Sequence, residues 1–346
     1  MDDKLDIKSY DQKEISAYCV SLGEKSYRGK QLFAWMHAQL ETDTDRMTNL
    51  PANMREKIRE TAEITSLRVV RELISKEDGT RKYLFGLADG NIIESVLMRY
   101  EHGLSVCISS QVGCRMGCRF CASTIDGLVR NLTASEMLDQ IYSIQKIVGE
   151  RVSHVVIMGS GEPLDNFDNF VRFVELVSDP AGLNISRRNI TVSTCGLVPN
   201  IYRLADLDLK ITLAISLHAS DDETRRSIMP VAKKYSIKEI LEASAYYFDR
   251  TGRRVTFEYS LIAGVNDSRA RAERLSSLIA PLHAHINLIP VNPVEERSYR
   301  QSEKQAIEAF RQILEKNGIN VTIRREMGRD IAGACGQLRR HYRDET

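Results

Sequence analysis

Cys114, Cys118 and Cys121 stand in the run CRMGCRFC with the spacing CxxxCxxC. Thiolates this close in sequence can bind one metal centre. Three of them leave a tetrahedral iron, or one corner of a cubane cluster, without a protein ligand. A free corner can bind a reacting molecule, so the spacing predicts a metal centre that takes part in chemistry.

Zinc and disulfides are the alternatives for these cysteines. Structural zinc sites are usually closed by four ligands, and no His or Cys occurs in the thirty residues after Cys121. Seven cysteines are an odd number, which disfavours complete disulfide pairing. The spacing, with an aromatic residue just before the last cysteine, resembles the signature of the radical S-adenosylmethionine (SAM) enzymes. In that superfamily three cysteines hold a 4Fe-4S cluster, and the amino and carboxylate groups of SAM occupy the fourth iron.

Composition restricts the partners. The chain has 346 residues with 48 Lys+Arg against 47 Asp+Glu, a net charge of +1, so an RNA site must be a local basic patch. It contains no apolar run of membrane-spanning length, and its start, MDDKLDIKSYDQKE, is polar and acidic. A cytoplasmic protein without a membrane partner is expected. The cytoplasm also keeps thiols reduced.

The first hundred residues divide into two predicted parts. Residues 1–65 are expected to form a small helical module, because QLFAWMHAQL repeats apolar residues near helical spacing. Lys25, Arg28 and Lys30 of this module could contact an RNA backbone, although exposed cations more often only aid solubility. Residues 66–102 are expected to form a strand extension, since an Asp-Gly turn at 89–90 separates RKYLFGL from NIIESVLMRY.

Strands and helices alternate from residue 103 to 325. Thr133 and Glu136 form a capping-box signature before one helix, and another helix is predicted from Ser302 to Asn317, ending at Gly318. Repeated strand–helix units predict an α/β fold with parallel strands, and their number favours a complete or open barrel over a flat sheet. A C-terminal loop is expected over 326–346. The predicted strands are LSVCISS (104–110), SHVVIMG (153–159), NITVST (189–194), KITLAISL (210–217), RRVTFEYSLI (253–262), HINLIP (285–290) and NVTIRR (320–325).

Polar residues follow several of these strands, where a barrel places its active site. The second strand runs into GSGEPL (159–164), whose glycines allow close backbone approach and whose carboxylate can accept from an ammonium. A simple strand-to-helix turn is the alternative. Taken singly, the other polar residues are more often satisfied loop groups. The candidates are Gly161, Glu162, Ser193, Ser216, His218 and Asn292.

Three further residues allow two interpretations each. Cys107 lies in the first barrel strand and could be a small core residue. Glu94 interrupts an apolar strand, which by itself suggests an exposed strand face. Cys335 lies among Gly328, Gly333 and Gly336, in a stretch that looks too flexible to bury a side chain, so a reactive thiol is the better interpretation.

Taken together, these motifs are similar, in order and spacing from about residue 20 to 340, to the dual-specificity 23S rRNA and tRNA adenine C2-methyltransferases. The resemblance implies a partial (β/α)6-type radical SAM barrel and RNA methylation in the peptidyl transferase centre and 3′ of the tRNA anticodon. The matching runs are CISSQVGCRMGCRFCAS, GLVRNLT, GSGEPLDN, TVSTCGLVP, SLHA, RRVTFEYSLIAGVND, IPVNP and DIAGACGQL.

The resemblance also implies roles for residues. Cys114, Cys118 and Cys121 would bind the 4Fe-4S cluster, and two SAM molecules would be used per turnover. One would methylate Cys335, and the other would yield a 5′-deoxyadenosyl radical that takes hydrogen from the S-methyl group. The SAM contacts that the resemblance implies are Gly161, Glu162, Ser193, Ser216, Leu217, His218 and Asn292.

The methylene radical would add to adenine C2, giving an adduct between Cys335 and RNA. Cys107 would then assist proton removal and release the product through a transient disulfide with Cys335, while Glu94 is a second candidate proton acceptor. The implied partners are 23S rRNA, tRNA and an external electron donor such as flavodoxin or ferredoxin, and a monomer is expected.

Other functions stay open at this stage. A related family methylates adenine C8 and confers antibiotic resistance, but it resembles GEAL where this chain has GEPL and lacks the pair Ile289-Pro290, so C2 is favoured. A metal-stabilised RNA-binding protein without turnover is the alternative from another class. A basic C-terminal stretch could follow RNA phosphates or be a solvated tail; it comprises Arg324, Arg325, Arg329, Arg339, Arg340 and Arg343.

Overall fold

The structure is a computed structural model that describes residues 4–338. The helices of this range are α1 (Gln12–Ser21), α2 (Tyr27–His37), α3 (Ala52–Thr61), α4 (Ala134–Val148), α5 (Phe167–Val177), α6 (Val198–Asp206), α7 (Asp222–Ile228), α8 (Ile237–Thr251), α9 (Arg269–Ile279) and α10 (Lys304–Lys316). The strands are β1 (Leu5–Asp6), β2 (Ala62–Glu63), β3 (Arg68–Ile74), β4 (Arg81–Gly86), β5 (Ile92–Tyr100), β6 (Gly103–Ile108), β7 (Gln111–Gly113), β8 (Leu128–Asn131), β9 (Val152–Ile157), β10 (Ile190–Thr194), β11 (Thr212–Ser216), β12 (Val255–Leu261), β13 (Ala284–Pro290) and β14 (Asn320–Ile323).

One sheet of ten strands organises the molecule, in the order β14-β13-β12-β11-β10-β9-β6-β5-β4-β3. Within this sheet, β6 and β9 to β14 pair in parallel, whereas β3 to β6 form an antiparallel meander on one side. Helices cross between the parallel strands, so this part is the predicted partial barrel and the α/β class is confirmed. The sheet is open, with β14 and β3 at its two edges.

Local sequence explains the helix and hairpin boundaries. Thr133 and Glu136 form the predicted capping box at the start of α4, and α10 stops one residue before Asn317. The Asp-Gly turn joins β4 to β5 with Leu84 opposite Glu94. Glu94 itself is buried, at 6% exposure, so the interpretation as an exposed strand face is wrong.

The run that carries the three cysteines lies between two short strands that the sequence did not indicate. β7 and β8 pair antiparallel to each other outside the main sheet. At Gly113 the backbone has φ +74°, and a Cβ there would lie 2.0 Å from the Gly127 oxygen. Only glycine fits this close approach. The cysteine run therefore starts from a fixed turn instead of directly from β6.

A buried ion pair connects the amino-terminal helices to the barrel. The Lys8 ammonium contacts the Asp139 carboxylate of α4, and the two side chains are 1% and 4% exposed. Lys8 also donates to the Thr65 carbonyl (2.7 Å), while Asp139 accepts from the Leu67 N–H (2.6 Å). Burial lowers the pKa of Lys8, and the adjacent Asp139 opposes that shift. The pair fixes both ends of the N-terminal segment against α4.

We expect Asp139→Asn to lower the free energy of unfolding by about 3–5 kcal/mol, because it leaves the Lys8 cation buried without its carboxylate. Asp168→Asn is the matched control, since Asp168 pairs with Arg203 at a surface where its side chain is 92% exposed. Its cost should stay below about 1 kcal/mol. Urea denaturation of both variants measures the difference, and equal costs would contradict the role of the buried pair.

No helix within residues 4–338 combines the length and apolar character needed to cross a membrane.

Candidate active site

A cavity opens at the carboxyl ends of the parallel strands. Its empty volume, which includes the solvent-open space at its mouth, is about 940 Å³. Most of the residues proposed from the sequence line it, although they come from segments more than two hundred residues apart. The lining includes Cys114, Cys118, Cys121, Gly161, Glu162, Ser193, Ser216, His218, Asn292 and Cys335.

Hydrogen bonds within the cysteine run hold its three thiols at this cavity. The Cys114 N–H donates to the Gly127 carbonyl (3.0 Å). The Thr124 hydroxyl donates to the carbonyls of Cys118 (2.9 Å) and Cys121 (3.0 Å). The loop therefore closes on itself through backbone carbonyls and the Thr124 hydroxyl, which places the three thiols together at the cavity.

The donor set suits an iron–sulfur cluster. Cys118 packs in an apolar cluster with Met229 and Val291, so the site is shielded from water. Burial raises the pKa of the Cys118 thiol well above its ordinary value and that of Cys114 to about 12. Cys114, Cys118 and Cys121 could hold a 4Fe-4S cluster. Iron binds cysteines as thiolates, so binding of the cluster would release the protons of these thiols. Residues 4–338 contain no group of three His, Cys, Asp or Glu side chains arranged around a single ion.

Glu162 is held rigidly at the end of β9. Its carboxylate accepts from the Cys195 N–H (2.7 Å) and the Leu164 N–H (3.0 Å), and its own N–H donates to Gln111 (2.8 Å). Burial raises the pKa of Glu162, and these N–H donors oppose the rise. A carboxylate has further lone pairs, so an ammonium group in the cavity could still be bound.

Gly161 allows this arrangement. Its φ is +108°, and a Cβ would come within 2.6–2.7 Å of Gln111 and Ser110. Any other residue would push the β9 turn away from β7. The close approach of Gln111 and Ser110 therefore requires a glycine next to Glu162.

His218 joins the end of β11 to the cysteine run. Its Nδ1 accepts from the Ser260 N–H (2.9 Å), and its ring packs edge-on against Phe120 with centroids 4.9 Å apart. Because Nδ1 accepts, the neutral ring carries its proton on Nε2. Burial lowers the pKa of His218 to about 3, and the Arg225 cation adds to the decrease.

We expect His218 to remain neutral, with its proton on Nε2, down to about pH 5. Burial disfavours the charged ring. The stability contributed by the neutral, buried His218 ring is therefore complete above the ordinary pKa of 6.5, and it is lost as the pH falls from 6.5 towards about 3. Nitrogen-15 NMR of labelled histidines measures this state, and His218→Asn assigns the resonance. Protonation of that ring between pH 7 and 6 would contradict the prediction.

The other strand-end candidates differ in their placement. Ser193 and Ser216 are half-buried and line the cavity. The Leu217 side chain is fully buried and does not line it, and the Leu217 N–H donates to the Glu258 carbonyl (3.1 Å). A ligand could thus contact Leu217 only through the Leu217 carbonyl, or after the backbone at the end of β11 had moved.

The segment around Cys335 closes one side of the cavity. The Asn292 amide donates to the Cys335 carbonyl (3.0 Å), and the Ala122 N–H donates to the Gly336 carbonyl (2.8 Å). Ala334 and Leu338 are buried at 6% and 4% exposure. The expectation of a segment too flexible to bury anything is wrong: its glycines allow it to pack closely against the cysteine run.

A second, smaller cavity adjoins the first and contains both remaining thiols of interest. Cys107 and Cys335 line it together with Arg324, and Cys335 and Arg324 also line the first cavity. Burial raises the pKa of Cys107 to about 12, the Cys335 thiol adds to the increase and Arg324 opposes it. Both cysteines are free, so the disulfide implied by the family resemblance is not present in this structure.

Glu94 lines neither of the two cavities, although it lies on the same strand, β5, as Val96 and Met98, which line the second. The Lys82 ammonium is 3.3 Å from the Glu94 carboxylate, and both side chains are only 8% exposed. Lys82 also donates to the Ala332 carbonyl (3.3 Å) of the Cys335 segment. The hairpin extension therefore contacts the Cys335 segment through Lys82, in addition to the bonds from the Lys76 N–H to Asp330 (2.9 Å) and from the Gly328 N–H to Asp78 (2.9 Å).

The basic C-terminal stretch is not uniform. Arg324 is half-buried, with its guanidinium 3.4 Å from the Met158 sulfur, so it belongs to the thiol site instead of an exposed phosphate patch. Arg325 is exposed, and Arg329 lies 3.6 Å from Glu326. The remaining predicted RNA contacts, Arg339, Arg340 and Arg343, lie outside the described residues.

Sequence reasoning missed three polar residues of the site. Gln111 orients Glu162, Lys82 contacts Glu94, and Glu258 lines the cavity at 4% exposure. Lys82 could have been found from the hairpin register, which places it diagonally from Glu94. Glu258 interrupts an apolar strand as Glu94 does, and that interruption was the available signal.

Comparisons with known proteins give matches over both the amino-terminal helices and the barrel. Residues 108–275 match the model of the radical SAM superfamily, and residues 5–64 match that of the "Ribosomal RNA large subunit methyltransferase N-terminal domain". The structure is similar to that of a radical SAM methyltransferase from Sphaerobacter thermophilus, with a TM-score of 0.94 and 42% identity over 97% of this chain and 100% of the other. The hydrogenase maturase HydG is similar in fold alone, with a TM-score of 0.50 and 15% identity over 67% of this chain and 54% of that one.

Curated relatives match over nearly the whole chain. A protein of Lachnospira eligens named "Probable dual-specificity RNA methyltransferase RlmN" is 62% identical over 98% of this chain and 97% of its own length. One of Lachnoclostridium phytofermentans with the same name is 56% identical over 99% and 97%. The chain therefore belongs to the RlmN family of radical SAM RNA methyltransferases.

Proposed function

We propose that this protein makes 2-methyladenosine in 23S rRNA, at the peptidyl transferase centre, and in tRNA, 3′ of the anticodon. The observation that carries the proposal is the position of Cys335, which lines both the cavity of the three cysteines and the cavity of Cys107. A thiol that lines both cavities can receive a methyl group in the first cavity, and Cys107 in the second can later release it from its bond to the RNA-borne carbon.

The first cavity would hold the cofactors. Cys114, Cys118 and Cys121 would bind the 4Fe-4S cluster, and Glu162 would accept from the amino group of SAM. When bound, these groups would supply a methyl group for Cys335 and, after reduction, a hydrogen-atom acceptor that makes the S-methyl carbon reactive. The other proposed SAM contacts are Gly161, Ser193, Ser216, Leu217, His218 and Asn292.

Adenine C2 is electron-poor and is no nucleophile, so a carbon radical on the Cys335 methyl group is the reagent it requires. The new carbon–carbon bond joins the protein to RNA until the C2 proton is removed, for which Cys107 and Glu94 are the candidate acceptors. Glu94 is held in place by Lys82, and Arg324 favours the thiolate of Cys107.

After addition to C2 the adduct carries one unpaired electron, which the oxidised cluster would take up as the C2 proton is removed. Release would then use the two thiols. The Cys107 sulfur forms a bond to the Cys335 sulfur, and the bond from Cys335 to the RNA-borne carbon breaks. That carbon keeps the electron pair and takes a proton to become the methyl group. The transient disulfide is then reduced by an external thiol, and the cluster receives its electron from a donor such as flavodoxin or ferredoxin.

The parts of the chain would divide the work, with the protein acting as a monomer in the cytoplasm. Residues 1–65 would contact RNA, 66–102 would support Glu94, 103–325 would form the catalytic barrel, and 326–346 would carry Cys335. C8 methylation of 23S rRNA could use the same thiol arrangement. GEPL at 161–164 and the Ile289-Pro290 pair favour C2.

Nucleoside mass spectrometry tests the proposal. 23S rRNA and tRNA would be taken from a methyltransferase-deletion host with and without this protein, and 2-methyladenosine would be resolved from 8-methyladenosine. We expect 2-methyladenosine in both RNAs only when the protein is present. A rise of 8-methyladenosine alone would show that the wrong carbon was chosen, and no methylated adenosine at all would support an RNA-binding role without turnover.

A further inference from the structure

Arg225 of α7 is a large side chain with no exposed surface. Its guanidinium donates only to neutral carbonyls: those of Cys195 (2.7 Å), Leu217 (3.1 Å), Ser216 (3.3 Å) and Tyr235 (3.3 Å). Two of these carbonyls belong to strand-end residues proposed to contact SAM. Arg225 therefore lies directly behind the cofactor cavity and ties two strand ends together.

Among the described residues, no carboxylate lies within ion-pair distance of the Arg225 guanidinium. The nearby Asp222 carboxylate accepts from the Ile237 N–H (2.8 Å). Burial lowers the pKa of Arg225, and the thiols of Cys195 and Cys118, with a smaller contribution from the Asp222 carboxylate, oppose that shift. A buried cation is costly unless an anion compensates it.

The anion is most simply the metal centre. Two contacts join α7 and the turn after it to the cysteine run: the Arg119 N–H donates to the Ile228 carbonyl (2.9 Å), and Gly117 packs on the Pro230 ring. Three thiolates on a 4Fe-4S cluster give a net negative charge, which grows by one on reduction. A fixed cation nearby favours the more negative, reduced state.

We propose that Arg225 is the buried counter-cation of the cluster and favours its reduction. The inference rests on the proposed cluster site at Cys114, Cys118 and Cys121. Arg225 acts as a positioning residue, because its guanidinium donates only to backbone carbonyls. Its charge would set how readily the cluster takes the electron that the reaction consumes.

The test is a redox titration of the full-length, anaerobically reconstituted protein, followed by electron paramagnetic resonance. Arg225→Gln removes the charge and keeps an N–H donor, and Arg225→Lys keeps a charge. Arg226→Gln is the matched control, since Arg226 is the exposed neighbour on the same helix. Iron and sulfide per chain report cluster loading independently of activity.

We expect Arg225→Gln to lower the ratio of reduced to oxidised cluster at least tenfold at a fixed potential, which for one electron corresponds to about 59 mV. Arg225→Lys should restore most of that ratio, and Arg226→Gln should leave it within twofold. A loaded Arg225→Gln protein that behaves like Arg226→Gln would overturn the proposal.

Failure of loading also gives an answer. If Arg225→Gln loses the cluster and Arg225→Lys retains it, charge compensation is supported. If both variants fold but lose the cluster, the hydrogen bonds of the planar Arg225 guanidinium matter instead of its charge, and the proposal is wrong. A wild-type protein that binds no 4Fe-4S cluster would refute the proposed metal site itself, and Arg225 with it.

Discussion

Replacing Cys335 with alanine should abolish RNA methylation, by at least about 10³-fold, and leave the cluster in place. The proposed route passes through a methyl group on the Cys335 sulfur, and alanine has no atom that could carry it. The substitution should be structurally mild, because the bond from Asn292 goes to the Cys335 backbone carbonyl. Loss of activity would then reflect chemistry.

The measurements separate these effects. Iron content and the visible absorption of the cluster should match wild type, while 2-methyladenosine and S-methylcysteine in the tryptic peptide should both be absent. Cys19→Ala is the control for removing a thiol, since Cys19 is buried in α1 and lines neither described cavity. Methylation that persists in Cys335→Ala would eliminate the methyl-carrier role.

Replacing Cys107 with alanine should stop turnover and trap protein joined to RNA. The proposed release step needs a second sulfur to attack Cys335, and Cys107 shares the smaller cavity with it. The backbone of β6 does not depend on this side chain, since residue 107 pairs with Val96 and Val156 through its main chain. We expect up to one adduct per chain and no further product.

A denaturing gel with labelled RNA shows the adduct as a slow species that ribonuclease removes. The double variant Cys107→Ala/Cys335→Ala should give none, which identifies Cys335 as the attachment point. Multiple turnovers by Cys107→Ala would contradict its role in release. If the adduct formed but decayed at the wild-type rate, release would not depend on Cys107, and an external thiol would have to attack Cys335 instead.

The fold followed from local signals. Alternating strands and helices, the capping box at Thr133 and the Asp-Gly turn each depend on neighbours in sequence, and the strand predictions fall within three residues of the observed ends. The cavity lining was also predictable in large part, because residues after parallel strands meet at one edge of the sheet.

The remaining features depend on contacts between distant parts of the chain. Glycines around Cys335 suggested mobility, yet their small size lets the segment pack against the cysteine run and Thr80. The sequence shows that Arg324 is charged but not that it is half-buried, and an RNA contact is therefore the natural interpretation from sequence alone. Arg225 gave no signal, since its partners are backbone carbonyls that composition cannot reveal.

The open ten-stranded sheet also bears on how such a family could diversify. The antiparallel strands β3 to β5 join the parallel strands only along β6, so the meander adds a support for Glu94 without altering the connections between the parallel strands. A closed barrel would have offered no edge for such an addition. Evolution could therefore append a new specificity element at this edge while inheriting the older cofactor chemistry unchanged.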